Sequence, residues 1–204
     1  MPGLAYNLEA AGITPDAPPG APRPRIINLS TGQDRPVFSD PQTTGYGISW
    51  SPNGNWLASY DGINSLIRVV NLNSGQQMTL PSNYGTTGAW SPDSCYFLYA
   101  NVVSGANDRP ITILYQADFQ TGETGIFLGQ ASDEVDYAYR IPAWSPSGSQ
   151  IALVMRADPP NAAQQIWLIS PDVLGDPVIA REPNYSYGFY HWDPLGNTPG
   201  LPAI

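Results

Sequence analysis

Short apolar runs separated by turn-forming residues follow one another along the whole chain of 204 residues. The run from 65 to 72, for example, contains Leu66, Val69 and Val70 and is followed by an Asn-Ser-Gly turn sequence. Runs of about four to eight residues that are rich in β-branched side chains and bounded by Gly, Pro, Asn or Asp predict β-strands. The pattern therefore predicts an all-β protein with helix almost absent.

A short cassette recurs between these runs and sets their period. It reads Trp-Ser-Pro-x-Gly or a close variant, and it occupies residues Trp50–Gly54, Trp90–Ser94, Trp144–Gly148 and, in degenerate form, Trp192–Gly196. A fifth copy is reduced to the stub Pro2-Gly3, and the tryptophans lie 40, 54 and 48 residues apart. Proline presets φ at the second position of a turn and Gly or Asn accepts the positive φ that follows, so each cassette predicts a tight turn.

A period of this length, with four predicted strands per repeat, is typical of a β-propeller blade. We label the strands a to d from the innermost to the outermost. The fold prediction is an all-β β-propeller of about four blades, each of four antiparallel strands, in one partial domain over residues 1–204. The blades cover 1–40, 45–80, 85–128 and 138–180, and an orphan innermost strand covers 187–193.

The two ends of the chain are complementary parts of one blade, because the first blade lacks strand a and the orphan strand is one. The chain could therefore close as a four-bladed ring or pair with a second copy into eight blades. Blades shaped for a six-fold ring would have to re-pack from about 60° to about 90° to close alone. We expect an open arc whose end blades fray or form a homodimer. The proline-rich stretch 14–24 is either a long b–c loop or a disordered N-terminal tail.

The cassette, together with the apolar strands Ile67-Arg68-Val69-Val70 and Ile166-Trp167-Leu168-Ile169, resembles the blades of TolB-like and WD-repeat-like propellers. The resemblance covers nearly the whole chain and implies a binding scaffold. It also implies a periplasmic or extracytoplasmic place, although Met1–Glu9 does not look like a signal peptide. Six blades at this period would need about 290 residues, so we expect a fragment of a longer propeller.

Charge and composition restrict the partners. The chain has seventeen acidic residues and eight basic ones, all of them arginine, which gives a net charge of −9. No basic stripe can be assembled to bind nucleic acid or an anionic membrane surface, and no apolar stretch is long enough for membrane insertion. With no lysine, one histidine (His191) and one cysteine (Cys95), most catalytic and metal-ligating constellations are missing. We expect no enzyme activity, no metal and no cofactor.

Candidate binding residues lie on the face that would carry the d–a and b–c loops. A tyrosine precedes strand a in each repeat, and an aromatic ring around a channel mouth could stack on a peptide or another ligand. Loops on a rigid scaffold are common binding positions. The candidates are Tyr46, Tyr84, Tyr139, Tyr187, Asp61, Asp108, Arg109 and Arg156. Alternatively, the tyrosines cap the core between blades and the loops are merely solvated.

Three functions remain open on the sequence. The leading one is a non-catalytic propeller that binds a protein or peptide on the tyrosine face. The second is the accessory propeller of a prolyl-oligopeptidase-like peptidase, which the repeat also resembles, without its catalytic domain. The third is a structural repeat array of an envelope protein. The cassette tryptophans repeat at one strand position, so we interpret them as core between blades rather than as ligand contacts.

Overall fold

The predicted apolar runs form strands in the computed structural model. It describes residues 3–8, 22–105, 108–129, 140–155, 165–172, 178–180, 191–192 and 199–200. No α-helix occurs in these ranges, so the prediction of an all-β chain is confirmed. The chain forms two compact units, residues 1–87 and 88–204. None of the described residues belongs to a helix that is long and apolar enough to cross a membrane.

The first unit contains two antiparallel sheets. A three-stranded sheet has the order β1-β2-β3, and a four-stranded sheet has the order β4-β5-β6-β7. Their strands are β1 Gly3–Leu8, β2 Arg23–Asn28, β3 Asp34–Pro36, β4 Tyr46–Trp50, β5 Trp56–Asp61, β6 Leu66–Asn71 and β7 Gln77–Pro81. Neighbours in sequence are neighbours in each sheet, which is the meander of a propeller blade.

The second unit contains two four-stranded antiparallel sheets and a two-stranded one. The four-stranded sheets consist of β8 Ala89–Trp90, β9 Tyr96–Ser104, β10 Pro110–Asp118 and β11 Thr124–Leu128, then of β12 Arg140–Trp144, β13 Ile151–Met155, β14 Gln165–Ile169 and β15 Val178–Ala180. The last pair is β16 His191–Trp192 with β17 Pro199–Gly200. The prediction of four-stranded antiparallel sheets, as in a partial propeller, is confirmed.

Several strands differ in extent or in pairing from the sequence-based prediction. β9 and β10 pair without interruption from Tyr96↔Asp118 to Ser104↔Pro110, so this hairpin extends into what the sequence suggested was loop. β3 ends at Pro36, and the next two residues, Val37 and Phe38, are buried in the core instead of continuing the strand. The orphan innermost strand is paired with β17, which the sequence did not predict.

The core of the first unit lies between its two sheets. Val37 and Phe38 pack with Leu57 and Val70, and Trp50 lies against this cluster. In the second unit, Trp90 is 7% exposed and its ring contacts Phe97 and Phe119 at centroid distances of 4.7 and 4.8 Å. Burial of such large apolar side chains is the main stabilising contribution to sheet packing. Trp50 and Trp90 therefore occupy the core positions expected from their repetition.

Candidate functional site

The cassette serine fixes each a–b turn. Its hydroxyl lies inside the turn and accepts the backbone N–H five residues later, at 2.9 Å from Trp56, 2.8 Å from Tyr96 and 3.0 Å from Gln150. The three serines, Ser51, Ser91 and Ser145, are at most 2% exposed. A buried backbone N–H without an acceptor costs free energy, and this explains why serine occupies the second position of the cassette.

A second recurrent motif, whose first residue was not predicted from the sequence, holds the c–d turns. Its first residue is Asn28, Asn71 or Asp118, whose side-chain oxygen accepts the N–H groups two and three residues later at 2.7–3.2 Å. Four residues on, a glycine with positive φ closes the turn. Side-chain acceptors of this kind define Asx turns. The signal was present in the sequence as Asn-Leu-Ser-Thr-Gly, Asn-Leu-Asn-Ser-Gly and Asp-Phe-Gln-Thr-Gly.

Two tyrosines meet at the end of the first unit that carries its b–c and d–a loops. Tyr46 is 42% exposed, and its ring packs edge-on against Tyr60 with centroids 5.2 Å apart and planes at 67°. Tyr60 is buried, and its hydroxyl is hydrogen-bonded by the Ser65 side chain and the Gly85 backbone. Burial raises the pKa of Tyr60, and the neighbouring Tyr46 adds to the effect. The exposed Tyr46 ring therefore packs against a side chain, Tyr60, that is itself held in place by hydrogen bonds.

Asp61 is predicted as a site residue, and the structure places it inside the neighbouring b–c turn. It is 1% exposed; Oδ1 accepts the Ile63 and Asn64 N–H groups, and Oδ2 accepts Arg68 Nε at 2.9 Å. Arg68 also forms a 2.8 Å ion pair with it. Burial opposes ionisation, but the hydrogen bonds from Asn64 and Arg68 outweigh it and lower the pKa of Asp61. The carboxylate thus holds the turn beneath the tyrosine pair.

The remaining predicted residues fall into three groups. Tyr84 belongs to the first unit and is half-buried, next to the Gly85 backbone that holds Tyr60. Asp108 and Arg109 lie in the b–c turn of the second unit, where Asp108 is exposed, has φ of 57° and accepts Ser104 Oγ at 3.3 Å. Tyr139, Tyr187 and Arg156 lie outside the described residues. The structure thus packs Tyr46 on Tyr60, next in sequence to Asp61, whereas Tyr84 is linked to this pair only as the chain neighbour of Gly85.

A groove of about 390 Å³ lies in the second unit, at the end of its sheets that carries the a–b and c–d turns. One wall is the a–b turn of the β8–β11 sheet, with Pro92, Asp93 and Tyr96, and Gln116 of β10 lies beside it. The opposite wall belongs to the β12–β15 sheet, with Trp144, Pro171 and Asp172. The predicted binding face did not include this end, because only the assembled sheets bring residues so distant in sequence together.

Titratable groups near this groove are held by turn contacts. The Ser91 hydroxyl and the Cys95 N–H lower the pKa of Asp93, and the N–H groups of Gln120 and Thr121 lower the pKa of Asp118. Burial raises the pKa of the Cys95 thiol, and Asp93 and Asp118 add to the effect, against a hydrogen bond from Gln120. Thiolate is the reactive form of cysteine, so these contacts reduce the nucleophilicity of Cys95 at neutral pH.

The fold is found in solved structures of propellers, whereas no family model and no curated protein matches the sequence. The β-propeller domain of the Trilobed protease from Pyrococcus furiosus is 17% identical with a TM-score of 0.61, over 88% of this chain and 54% of that one. TolB from Acinetobacter baumannii is 20% identical with a TM-score of 0.55, over 86% and 41%. Pyrococcus horikoshii acylaminoacyl peptidase is 16% identical with a TM-score of 0.61, over 88% and 30%.

The chain has the β-propeller fold. Its neighbours are both TolB proteins and the propeller domains of peptidases, which makes the fold TolB-like. The chain spans well under two thirds of the length of each of these three structures, 54%, 41% and 30%.

Proposed function

We propose that this chain is a non-catalytic TolB-like propeller that binds a protein or peptide on the face of the d–a and b–c loops. The observation that carries the proposal is the Tyr46 ring, exposed to 42% and fixed edge-on against the buried Tyr60. Tyrosine offers a large amphipathic contact surface with little loss of conformational entropy on binding, and it is enriched at interfaces.

The loops beneath the ring support a preorganised surface. Asp61 ties Ile63, Asn64 and Arg68 into one turn, and the Gly85 backbone holds Tyr60 from the following loop. A surface that is already ordered before binding loses less entropy when a partner docks. The site therefore suits recognition of a preformed or extended segment by contact rather than by chemistry.

The test compares partner capture by the full chain with capture by two exposed-residue variants. Tyr46→Ala removes the proposed contact, and Ile126→Ala, at a residue 58% exposed on the edge strand β11, is the matched control. We expect Tyr46→Ala to reduce recovery of a specific partner about tenfold or more, as for an interface hot spot, and Ile126→Ala to leave it unchanged. Equal recovery by all three proteins, each with the same circular-dichroism spectrum, contradicts the proposal.

A second candidate follows from the comparisons. A prolyl endopeptidase and an acylaminoacyl peptidase contain regions of the same fold, and this chain spans 26% and 30% of those two chains. The chain could thus be the accessory propeller of a peptidase whose catalytic domain lies elsewhere in the gene. A Gly-x-Ser-x-Gly nucleophile sequence in the flanking reading frame would select this function. A lipoprotein signal or anchor there would favour a structural array in an envelope protein instead.

A further inference from the structure

We propose that the groove between the β8–β11 and β12–β15 sheets is a second binding site, for an extended, proline-rich peptide segment that carries arginine. It lies at the a–b and c–d turns, so it is independent of the Tyr46 surface and of the function proposed for it. At about 390 Å³ its volume falls in the range of ligand-binding clefts.

The lining supplies the shape that such a segment requires. Tyr96 and Trp144 are half-buried aromatic side chains on opposite walls, and Pro92 and Pro171 continue the apolar surface. Aromatic-lined grooves bind polyproline II segments because the ligand is already extended and loses little entropy.

The charge of the groove selects a cationic ligand. Asp93 and Asp172 are exposed carboxylates on opposite walls, and none of the described residues that line the groove is an arginine. Asp172 makes no hydrogen bond or ion pair with the described residues. Arginine can bind a carboxylate through two parallel hydrogen bonds and can also stack on an aromatic face. An anionic peptide would be repelled by both carboxylates and by a chain whose net charge is −9.

The walls are held in place before a ligand arrives. Ser91 and Ser145 fix the two a–b turns from inside, and Pro92 Cδ and Cγ lie 3.8 Å from the place that a side-chain carbon on Gly148 would occupy. The two turns are therefore in close contact across the floor of the groove. A rigid groove of this kind gains affinity because little of it has to be ordered on binding.

The test uses three capped heptapeptides and calorimetry with the full chain. The probe is Pro-Pro-Arg-Pro-Pro-Arg-Pro, the charge control has glutamate in place of each arginine, and the shape control has glycine in place of each proline. We expect the probe to bind about tenfold or more tightly than either control. No binding of the probe at about 1 mM, or equal binding of probe and charge control, overturns the proposal. Equal binding of probe and shape control overturns its proline-rich part.

Variants locate the site. Gln116→Trp fills the groove, and Asp172→Arg reverses one carboxylate; each is expected to weaken probe binding about tenfold or more. Glu123→Arg gives the same change in net charge at an exposed turn residue that does not line the groove. It should leave the affinity within about twofold. Melting temperatures verify that all variants fold. If the probe binds but Gln116→Trp and Asp172→Arg behave like Glu123→Arg, the proposed location is wrong.

The two proposals can fail separately. Tyr46→Ala should leave binding of the arginine peptide unchanged, because Tyr46 does not line this groove. If Tyr46→Ala abolishes peptide binding while Gln116→Trp does not, the peptide binds the tyrosine surface and the second site does not exist.

Discussion

Backbone angles at single residues control the hairpins of this protein. Gly32, Gly75 and Gly122 occupy the same place in successive c–d turns, with φ of 72°, 75° and 79°. An L-residue with a side chain is strained at such angles, whereas glycine is not. The a–b turn has the same requirement at Gly54 and Gly148, but in the cassette between them Ser94 occupies this position, with φ of 64°. Among the described a–b turns, Ser94 is therefore a strained residue at a position that glycine otherwise occupies.

Two glycines in one hairpin, Gly122 and Gly125, allow the effect of backbone strain on stability to be measured separately from the effect of steric crowding. An added side-chain carbon meets no atom within 4 Å at either Gly122 or Gly125, but only Gly122 has positive φ. We expect Gly122→Ala to lower the free energy of unfolding by about 1 kcal/mol. Gly125→Ala should be neutral or stabilise by up to about 1 kcal/mol. Urea denaturation measures both, and equal effects would refute the strain argument.

The buried carboxylate of Asp61 makes stability depend on pH. Its hydrogen bonds and its ion pair with Arg68 hold the folded-state pKa below the ordinary value of 3.8. The stabilisation is therefore complete above the unfolded-state pKa and is lost as the pH falls through the folded-state pKa. We expect Asp61→Asn to be less stable than wild type at pH 7, and the difference to shrink below about pH 4. A difference that stays constant between pH 7 and pH 2 would contradict this assignment.

At the scale of the element, each blade-like sheet is a series of hairpins whose turns are closed by side chains. The cassette serine serves the a–b turn, and the Asn or Asp residue serves the c–d turn, in successive sheets. Irregular pairing also recurs: β4–β5 and β12–β13 both shift register within strand a, the first across Gly47 with φ of 63°. Such bulges bend a strand and redirect its side chains. The bulge at Gly47 directly follows the exposed Tyr46.

Removal of one cassette hydroxyl tests its contribution to a hairpin. Ser51→Ala leaves the Trp56 N–H without its 2.9 Å acceptor and Asn53 Oδ1 without its 2.8 Å donor. Ser51 is 2% exposed, so water cannot readily replace it, and we expect a loss of about 1–2 kcal/mol in the free energy of unfolding. Ser30→Ala, at an exposed turn position of the same unit, should change stability by less than about 0.5 kcal/mol. Equal midpoints of urea denaturation for both variants would show that the hydroxyl is dispensable.

At the scale of the whole molecule, we expect exposed sheet edges to control any association between copies of the chain. β1 is the first strand of the three-stranded sheet, and Leu4 on it is 54% exposed. An exposed apolar edge strand is a template for pairing with another chain, and charged residues prevent this. If the chain is an open arc whose end blades form a dimer, we expect the association to depend on β1.

Sedimentation velocity tests this expectation with one edge variant and one turn variant. If the end blades form a homodimer, Leu4→Lys should increase the monomer fraction relative to wild type. Leu29→Lys, at a residue 60% exposed in a turn rather than on an edge strand, should leave the fraction unchanged. Hydrogen exchange adds a second readout: a chain ending at residue 186 should exchange the β1 amides as fast as the full chain. Faster exchange in the shortened chain would mean that β16 covers β1 and that the ring is closed.

The sequence alone determined the all-β fold and the succession of antiparallel sheets. It could do so because strand periodicity, proline and glycine act over a few residues; the apolar run identified over 65–72, for example, contains β6 Leu66–Asn71. The positions of Trp50 and Trp90 in the core followed from their repetition in the same way.

Tertiary structure decided the arrangement of the candidate binding surfaces, because these surfaces depend on residues far apart in the chain. Asp61 is turned inward by Arg68 and the b–c turn, and Tyr46 acquires its fixed place from Tyr60 and the loop at Gly85. The groove combines residues from 91 to 172, which no local pattern connects. Strands and turns follow from local propensity and can be predicted from the sequence, whereas a binding surface exists only when separate sheets pack against each other.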